Sequence, residues 1–584
     1  MLLSPPPDNR PTLALIECGF TAIAVAVAFA WPRLGSAWFS RIERPFARLA
    51  RKKALCVTVV GLAALLLRLA ILPVCPIPLP FAPDDFSFML AADTFLHGRL
   101  TNPTPAMWTH FETIHVTMVP TYQSMYFPAQ GLLIAASKLL FGHPWFGILL
   151  SSALMCAAIC WMLQAWLPPT WALLGGLLSV VHLALFCYWV NTYHAGGCIT
   201  ALGGALVLGA LPRLMKTAHF PYGLLMAVGI VLLAGTRPYE GLLLCLPVAF
   251  VLGRWMLFGK NRPGAIVLLR RAAAPLALIV AAGAWMGYYD YRAFGHPLTL
   301  PYSVDRAQYA IAPYYVWQSP RSPEPAYRHE EMRHFYHEDE LEYFDRIHKW
   351  SMYIPLTLGK ANGGIQFYAG VALLVPLIMV RRVFLDRRIR FLVVGVLVLA
   401  AGLTIEIFMI PHYTAPFTAS FYAIGLQAMR HLRLWRPEGR LAGLAMTRFT
   451  VFICCLMASL RLCAAPLNLL PPEWPAPNWN YSWYGPGHFG VDRARIKNQL
   501  DQLPGKQLVI VRYSPKHNPL DEWVYNAADI DGSKVVWARE MDSADNLELF
   551  HYYPDRKVWL AEPDAQPASV SPYPVPQQLT AASH

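Results

Sequence analysis

Two carboxylates stand side by side in PDDFSFMLAADTFLHGRL (83–100): Asp84 and Asp85. The stretch just upstream, ALLLRLAILPVCPIPLPF, has no acidic side chain. A carboxylate placed here can serve as a general base or can cap the free amides at the start of a helix. Neighbours in a helix point about 100° apart, so the pair cannot both aim at one spot. One can face a cavity while the other caps or pairs. For a single Asp after Pro, the cap is the better reading. Two together at a membrane face, among aromatic rings, favour a function. Asp84 is the first choice as base because it lies closer to the apolar stretch.

A second group lies in MWTHFETIHVTMVPTYQSMYFP (107–128), which carries His110, Glu112 and His115. Their H-x-E-x-x-H order is not the zincin spacing. Polar residues bound to backbone at an interface rank slightly ahead of a metal set, and a share in a substrate cavity fits either. Three apolar runs end in polar turns. WVNTYHAGG (189–197) offers Asn191, Tyr193 and His194; AGTRPYEGL (234–242) offers Arg237, Tyr239 and Glu240; IPHYTAP (410–416) offers His412 and Tyr413. Arg237 is the only basic residue in its turn. A lone arginine among aromatics suits an anion or a phosphate. An ion pair with Glu240 is an equal and compatible reading. Glu406 lies inside an apolar run, where a carboxylate marks a functional site or pairs with a buried partner such as a nearby arginine.

The elements that must position these groups follow from composition. Of 584 residues, 56% are hydrophobic and 14% charged, against roughly a quarter charged in soluble proteins. Apolar runs fall at 13–31, 54–74, 145–166, 171–189, 195–212, 221–236, 239–257, 272–289, 362–380, 391–410, 412–429 and 448–466. Each approaches the roughly 20 residues that cross a bilayer. The expected fold is a polytopic α-helical membrane protein of about twelve transmembrane helices. The shorter run 126–142 reads as interfacial or re-entrant. Net charge is +13, but the basic residues sit in short loops, so they report topology rather than a nucleic-acid partner. Segments 33–53, 212–216, 254–271, 381–390 and 430–440 all fall on one side with twelve spans. That side is the cytoplasm by the positive-inside rule. Loops 77–144 and 290–361 and the C-terminal region then lie outside. The long aromatic loop 290–361 is suited to cover a cavity. The 11 cysteines lie in or beside the runs and suggest apolar packing, not disulfides.

The organisation expected is an extra span and basic loop over 1–53, a transmembrane domain over 54–466, and a Pro/Trp-rich linker over 467–505. A small periplasmic α/β module of about three strands follows over 506–562, and then a disordered tail over 563–584.

An apolar span leading to an outer loop that opens on Asp-Asp, followed by many spans and an outer C-terminal module, resembles the C-type (GT-C) integral membrane glycosyltransferases. The likeness is to the bacterial branch of protein O-mannosyltransferases and aminoarabinose transferases, and it spans 54–466 as architecture. It implies a sugar moved from a polyprenyl-phosphate donor to a lipid, glycan or protein acceptor at the outer face of the cytoplasmic membrane. In that scheme Asp84 or Asp85 is the base. Arg237 and His194, then His412 and Tyr413, attend the phosphate, with Tyr193 and Glu240 beside them. His110, Glu112 and His115 line the acceptor side. Some members use a divalent metal near the acidic motif. A transporter or flippase of lipid-linked glycans and a non-catalytic envelope assembly protein are the alternatives.

Overall fold

The computed structural model describes residues 12–574 apart from 195, 261, 468, 470–482 and 486–489. Most of 467–490, within the expected linker 467–505, and the last ten residues, 575–584, therefore lie outside the described residues. Every apolar run contains a helix. Seven are long and apolar enough to cross a membrane: Thr12–Ala30, Lys53–Ala70, Trp145–Trp166, Gly197–Thr217, Pro238–Phe258, Ala265–Phe294 and Ala442–Leu462. An eighth is reached if Trp350–Ala369 and Ala372–Leu385, bent by 108° at their junction, count as one span. The chain is a multi-pass membrane protein.

The other four apolar runs form shorter helices. They fold as Pro169–Leu183, Phe220–Ala234, Arg390–Ile405 and Thr418–Arg433, each of 15 or 16 residues. At 1.5 Å per residue these reach only about 23–24 Å, short of a ~30 Å hydrocarbon core. The missing turns have unwound into the polar connections 184–196, 235–237 and 406–411. Irregular backbone at such depth is tolerated where it lines a cavity. The run 126–142 forms Pro128–Phe141, at 14 residues too short to span.

Trp145–Trp166 and Gly197–Thr217 are mostly buried and form the centre of the bundle. Around them the basic segments 33–53, 381–390 and 430–440 meet at one end. There Arg433 and Arg448 both bond Glu43 of the helix Ser36–Ala50. The acidic pair and the three polar connections lie at the other end.

One glycine decides how that polar end closes. The short helix Pro411–Phe417, which carries His412 and Tyr413, packs on Gly204. A Cβ at Gly204 would sit 1.9 Å from the Pro416 carbonyl oxygen. Gly204→Ala is therefore expected to lower stability by about 1–3 kcal/mol through overpacking. Gly425→Ala, with nothing within 4 Å of the added carbon, is the matched control in a thermal unfolding assay.

The C-terminal unit has four strands, not three. Lys506–Val511 pairs in parallel with Val535–Arg539 on one side and Arg556–Glu562 on the other. Ser569–Pro572 adds antiparallel to Arg556–Glu562. This corrects the expectation that the chain is disordered from 563: alternate residues at 568 and 570 find apolar partners in the sheet core. Likewise 491–502, expected as linker, is the helix Val491–Gln502, whose Ile496 and Leu500 are buried in that core. The sheet's other face packs on the acidic helix Pro83–Leu96 through Phe86, Leu90 and Tyr525. Phe86 and Tyr525 stack at 4.5 Å.

Candidate functional site

The helix Pro83–Leu96 starts where Pro83 supplies a preset φ and needs no amide partner. Asp84 and Asp85 occupy its second and third positions, and the helix separates their fates. Asp85 is 0% exposed. Its Oδ2 accepts the N–H groups of Phe81 (3.2 Å) and Ala82 (3.3 Å), capping the helix. Its Oδ1 accepts the N–H groups of Tyr193 (2.8 Å) and His194 (2.7 Å) and meets Nδ1 of His194 at 2.9 Å. Five donors converge on one carboxylate and tie the connection 184–196 to the acidic helix.

Asp84 keeps 24% of its side chain exposed. Its Oδ1 lies 2.6 Å from Nδ1 of His115 and accepts the Tyr126 hydroxyl. Burial pushes the Asp84 carboxyl up, but the adjoining His115 outweighs it and holds the group well below the usual carboxylate range. For His115, burial lowers the imidazole while Asp84, then Asp305 and Glu340, raise it, with a net rise. His115 is also held at φ 62°, a left-handed conformation uncommon for a non-glycine residue. Ser87 donates to its carbonyl at 2.7 Å and keeps it there.

Arg237 precedes the helix Pro238–Phe258. Its guanidinium lies 3.9 Å over the Tyr413 ring and 3.4 Å from Glu240. The cation is thus flanked by a ring and a buried carboxylate, so both sequence readings of Arg237 are compatible with its surroundings. Tyr302 lies beside this group: its ring is 5.4 Å from those of Tyr126 and Phe127. His412 is buried, with Nδ1 3.0 Å from the Tyr188 hydroxyl, and its ring lies 6.4 Å from that of His194. Tyr193 turns away, donating its hydroxyl to the Pro78 carbonyl at 3.2 Å.

His110 and Glu112 do not join this cluster, contrary to the sequence expectation. The His110 ring bonds the carbonyls of Arg539 and Asp545 at 3.3 and 3.2 Å. Glu112 faces Arg328 at 3.5 Å and His329 at 3.7 Å, and its carbonyl accepts Arg539 Nε at 2.8 Å. His110 holds the sheet module, and Glu112 links it to loop 290–361. His115 alone of the three meets the acidic pair. Arg68 is also structural: it donates to the carbonyl of Cys75 and to Asn191 Oδ1.

Sequence reasoning missed Tyr126, Tyr302, Asp305, Arg306 and Glu340. All but Tyr126 come from loop 290–361. Arg306 holds Glu340 at 2.7 and 2.8 Å beneath Tyr314. Asp305 is fully buried with Oδ2 lacking a hydrogen bond, and burial pushes its carboxyl up to about 6. No motif marks them; only the loop's aromatic density hinted at a cover. Among the described residues no three His, Cys, Asp or Glu side chains converge as a metal set. His115 and Tyr126 already occupy Asp84, so these side chains as placed do not fit a metal ion at the acidic pair.

Fold and site together define a multi-pass helical membrane protein. An ionised carboxylate and an aromatic-stacked arginine share one end of its bundle, beneath a docked sheet module. No protein-family model and no curated protein matches the chain. Among solved structures, it is similar to the oligosaccharyltransferase of Archaeoglobus fulgidus tethered with an acceptor peptide. That match has 10% identity and TM-score 0.44, and covers 87% of this chain and 68% of the other. It is also similar to ArnT from Cupriavidus metallidurans bound to undecaprenyl phosphate, at 13% identity and TM-score 0.45, covering 86% and 92%.

Proposed function

We propose that this protein is a C-type membrane glycosyltransferase of the bacterial cytoplasmic membrane. It moves a sugar from a polyprenyl-phosphate donor to an acceptor at the outer face, with inversion. The observation that carries the reading is the division of labour in the acidic pair: Asp85 is consumed by five donors, while Asp84 is held well below the usual carboxylate range and keeps part of its side chain exposed.

The chemistry balances on these groups. The acceptor hydroxyl or amine attacks the anomeric carbon and gives its proton to Asp84. The bond from that carbon to the phosphate oxygen breaks, and the phosphate leaves with the electron pair. A strongly acidic carboxyl is a weak base, so proton transfer must come late, when bonding to carbon has made the acceptor proton acidic. In return, Asp84 is ionised at any physiological pH. Arg237 balances charge on the departing phosphate, in a cavity where such stabilisation is largest. His194 and His412 flank that side. Loop 290–361 excludes water.

A lipid donor also accounts for an apolar cavity of about 360 Å³ within the bundle, lined by Leu373, Val396, Leu399, Leu403 and Phe421. Lys360, another lining residue, donates to the Glu406 carbonyl at 2.6 Å, and Glu406 feels the charge of Arg237. On this reading part of the prenyl chain occupies this chamber and the phosphate reaches Arg237.

The test is reconstitution in lipid with radiolabelled polyprenyl-phosphate sugars and cell-envelope acceptors. Label is expected to move to an acceptor. Lipid crossing the bilayer with no sugar transferred would instead identify a transporter and sink the proposal. In the same assay Arg237→Ala is expected to slow transfer by about 10²-fold. Arg237→Lys should restore only part, because an ammonium lacks the planar face that stacks on Tyr413.

A further inference from the structure

The end of the bundle away from Asp84 holds a second cavity, of about 350 Å³, walled by Trp171, Asp386, Arg388, Gln427, Arg430 and His431. The helix Thr418–Arg433 leads to it from His412 and is 16 residues long, so the two sites lie about 24 Å apart. Nothing in the proposed transfer uses this cavity.

Its charges do not cancel. Arg433, also in the wall, is matched by Glu43 at 3.2 Å, which serves Arg448 as well. Asp386 is the single carboxylate in the wall, and its oxygens are engaged. Oδ1 accepts the Arg388 N–H at 2.9 Å, while Oδ2 accepts the Gln427 amide and meets Nε2 of His431 at 3.2 Å. Arg430 donates Nη1 to Gln427 Oε1 at 2.6 Å, a neutral partner that fixes its direction. Among the described residues, neither Arg388 nor Arg430 has a carboxylate within ion-pair distance. Two guanidinium groups and an imidazole thus surround a polar space that one engaged carboxylate cannot neutralise. Guanidinium forks match phosphate oxygens geometrically, and one side is already preorganised by Gln427. The indole of Trp171 suits the headgroup level of a membrane. The volume exceeds that of a bare phosphate and admits an attached group.

We propose that this cavity binds a phosphate group at the basic end of the bundle, on the membrane face opposite the transfer site. The phosphate belongs either to an anionic lipid headgroup or to a soluble phosphate compound.

The test uses the full chain in an Arg237→Ala background, so that the donor site proposed above does not contribute. Detergent-purified protein receives inorganic pyrophosphate in one arm, followed by calorimetry. In the other it receives phosphatidylglycerol against phosphatidylcholine, with retained lipid counted by native mass spectrometry. Saturable binding in at least one arm is expected, weakened about tenfold or more by Arg388→Gln and further by Arg388→Gln with Arg430→Gln. Arg388 is exposed, so its single variant should keep the parent elution profile. Arg440→Gln, an exposed arginine at the same end, should change neither arm. Pyrophosphate binding alone identifies a soluble ligand; lipid retention alone identifies a headgroup. No binding in either arm, or binding that both variants leave intact, overturns the site.

Discussion

Asp84→Asn is expected to cut sugar transfer by about 10²–10⁴-fold, the range for loss of a general base, with a loss of stability confined to its ion pair with His115. The amide has nearly the same shape and still accepts the Tyr126 hydroxyl through its oxygen. It cannot take the acceptor's proton, so the attacking group must leave that proton to water. Donor binding, measured separately by retention of radiolabelled lipid, should change little, because Arg237 and the apolar chamber are untouched. Transfer at the wild-type rate in Asp84→Asn would remove Asp84 from the mechanism.

The same variant has a pH signature. His115 has a raised pKa, its burial being outweighed by Asp84. Its contribution to stability is therefore fully present below its unfolded value of about 6.5 and is lost as pH rises through the elevated folded value. Asp84 has a lowered pKa, so its contribution is present above about 3.9 and is lost only as pH falls through the depressed value. The wild-type thermal midpoint should thus decline on the alkaline side, above about pH 6.5. In Asp84→Asn that decline should flatten, since His115 no longer gains a charged partner. An unchanged alkaline slope would mean that the pair is not ionised as described.

Asp85→Asn is expected to act in the opposite way, on stability before chemistry. Five donors converge on the Asp85 carboxylate, which is wholly buried. An asparagine replaces one acceptor oxygen by a donating NH₂, set against N–H groups that already point inward. It also leaves His194, a buried imidazole held up by Asp85 despite burial, without its anion. Breaking one half of a buried charged pair destabilises by about 3–5 kcal/mol. The expected result is a large fall in thermal midpoint, together with loosening of the connection 184–196 seen as faster proteolysis there. Activity falls as a consequence, and lowering the temperature should recover part of it. Asp84→Asn should show no such recovery. Two adjacent carboxylates with opposite temperature behaviour would distinguish a base from a positioning residue.

Much of this protein can be read locally. Runs of apolar residues must become helices in a bilayer, because no other backbone arrangement there satisfies its own amides. The parallel strands of the sheet module follow from short β-branched runs such as QLVIV. Pro83 followed by two acids marks a helix start, and the 100° step already requires Asp84 and Asp85 to diverge.

Packing decided the rest. Which carboxylate turns inward depends on Tyr193 and His194, 108 and 109 residues away from Asp85. His110 and the Glu112 carbonyl meet Arg539, more than 400 residues along the chain, instead of the acidic pair. Four apolar runs stop short of a full span because their ends unwind to place His194, Arg237 and His412, and hydropathy cannot distinguish an unwound turn from a helical one. Tyr302, Asp305, Arg306 and Glu340 look like ordinary polar loop residues until the loop is laid over His115. Periodicity and composition report which face of an element is apolar. Which distant groups meet on that face is set by tertiary contacts, and the chemistry of this site consists of those meetings.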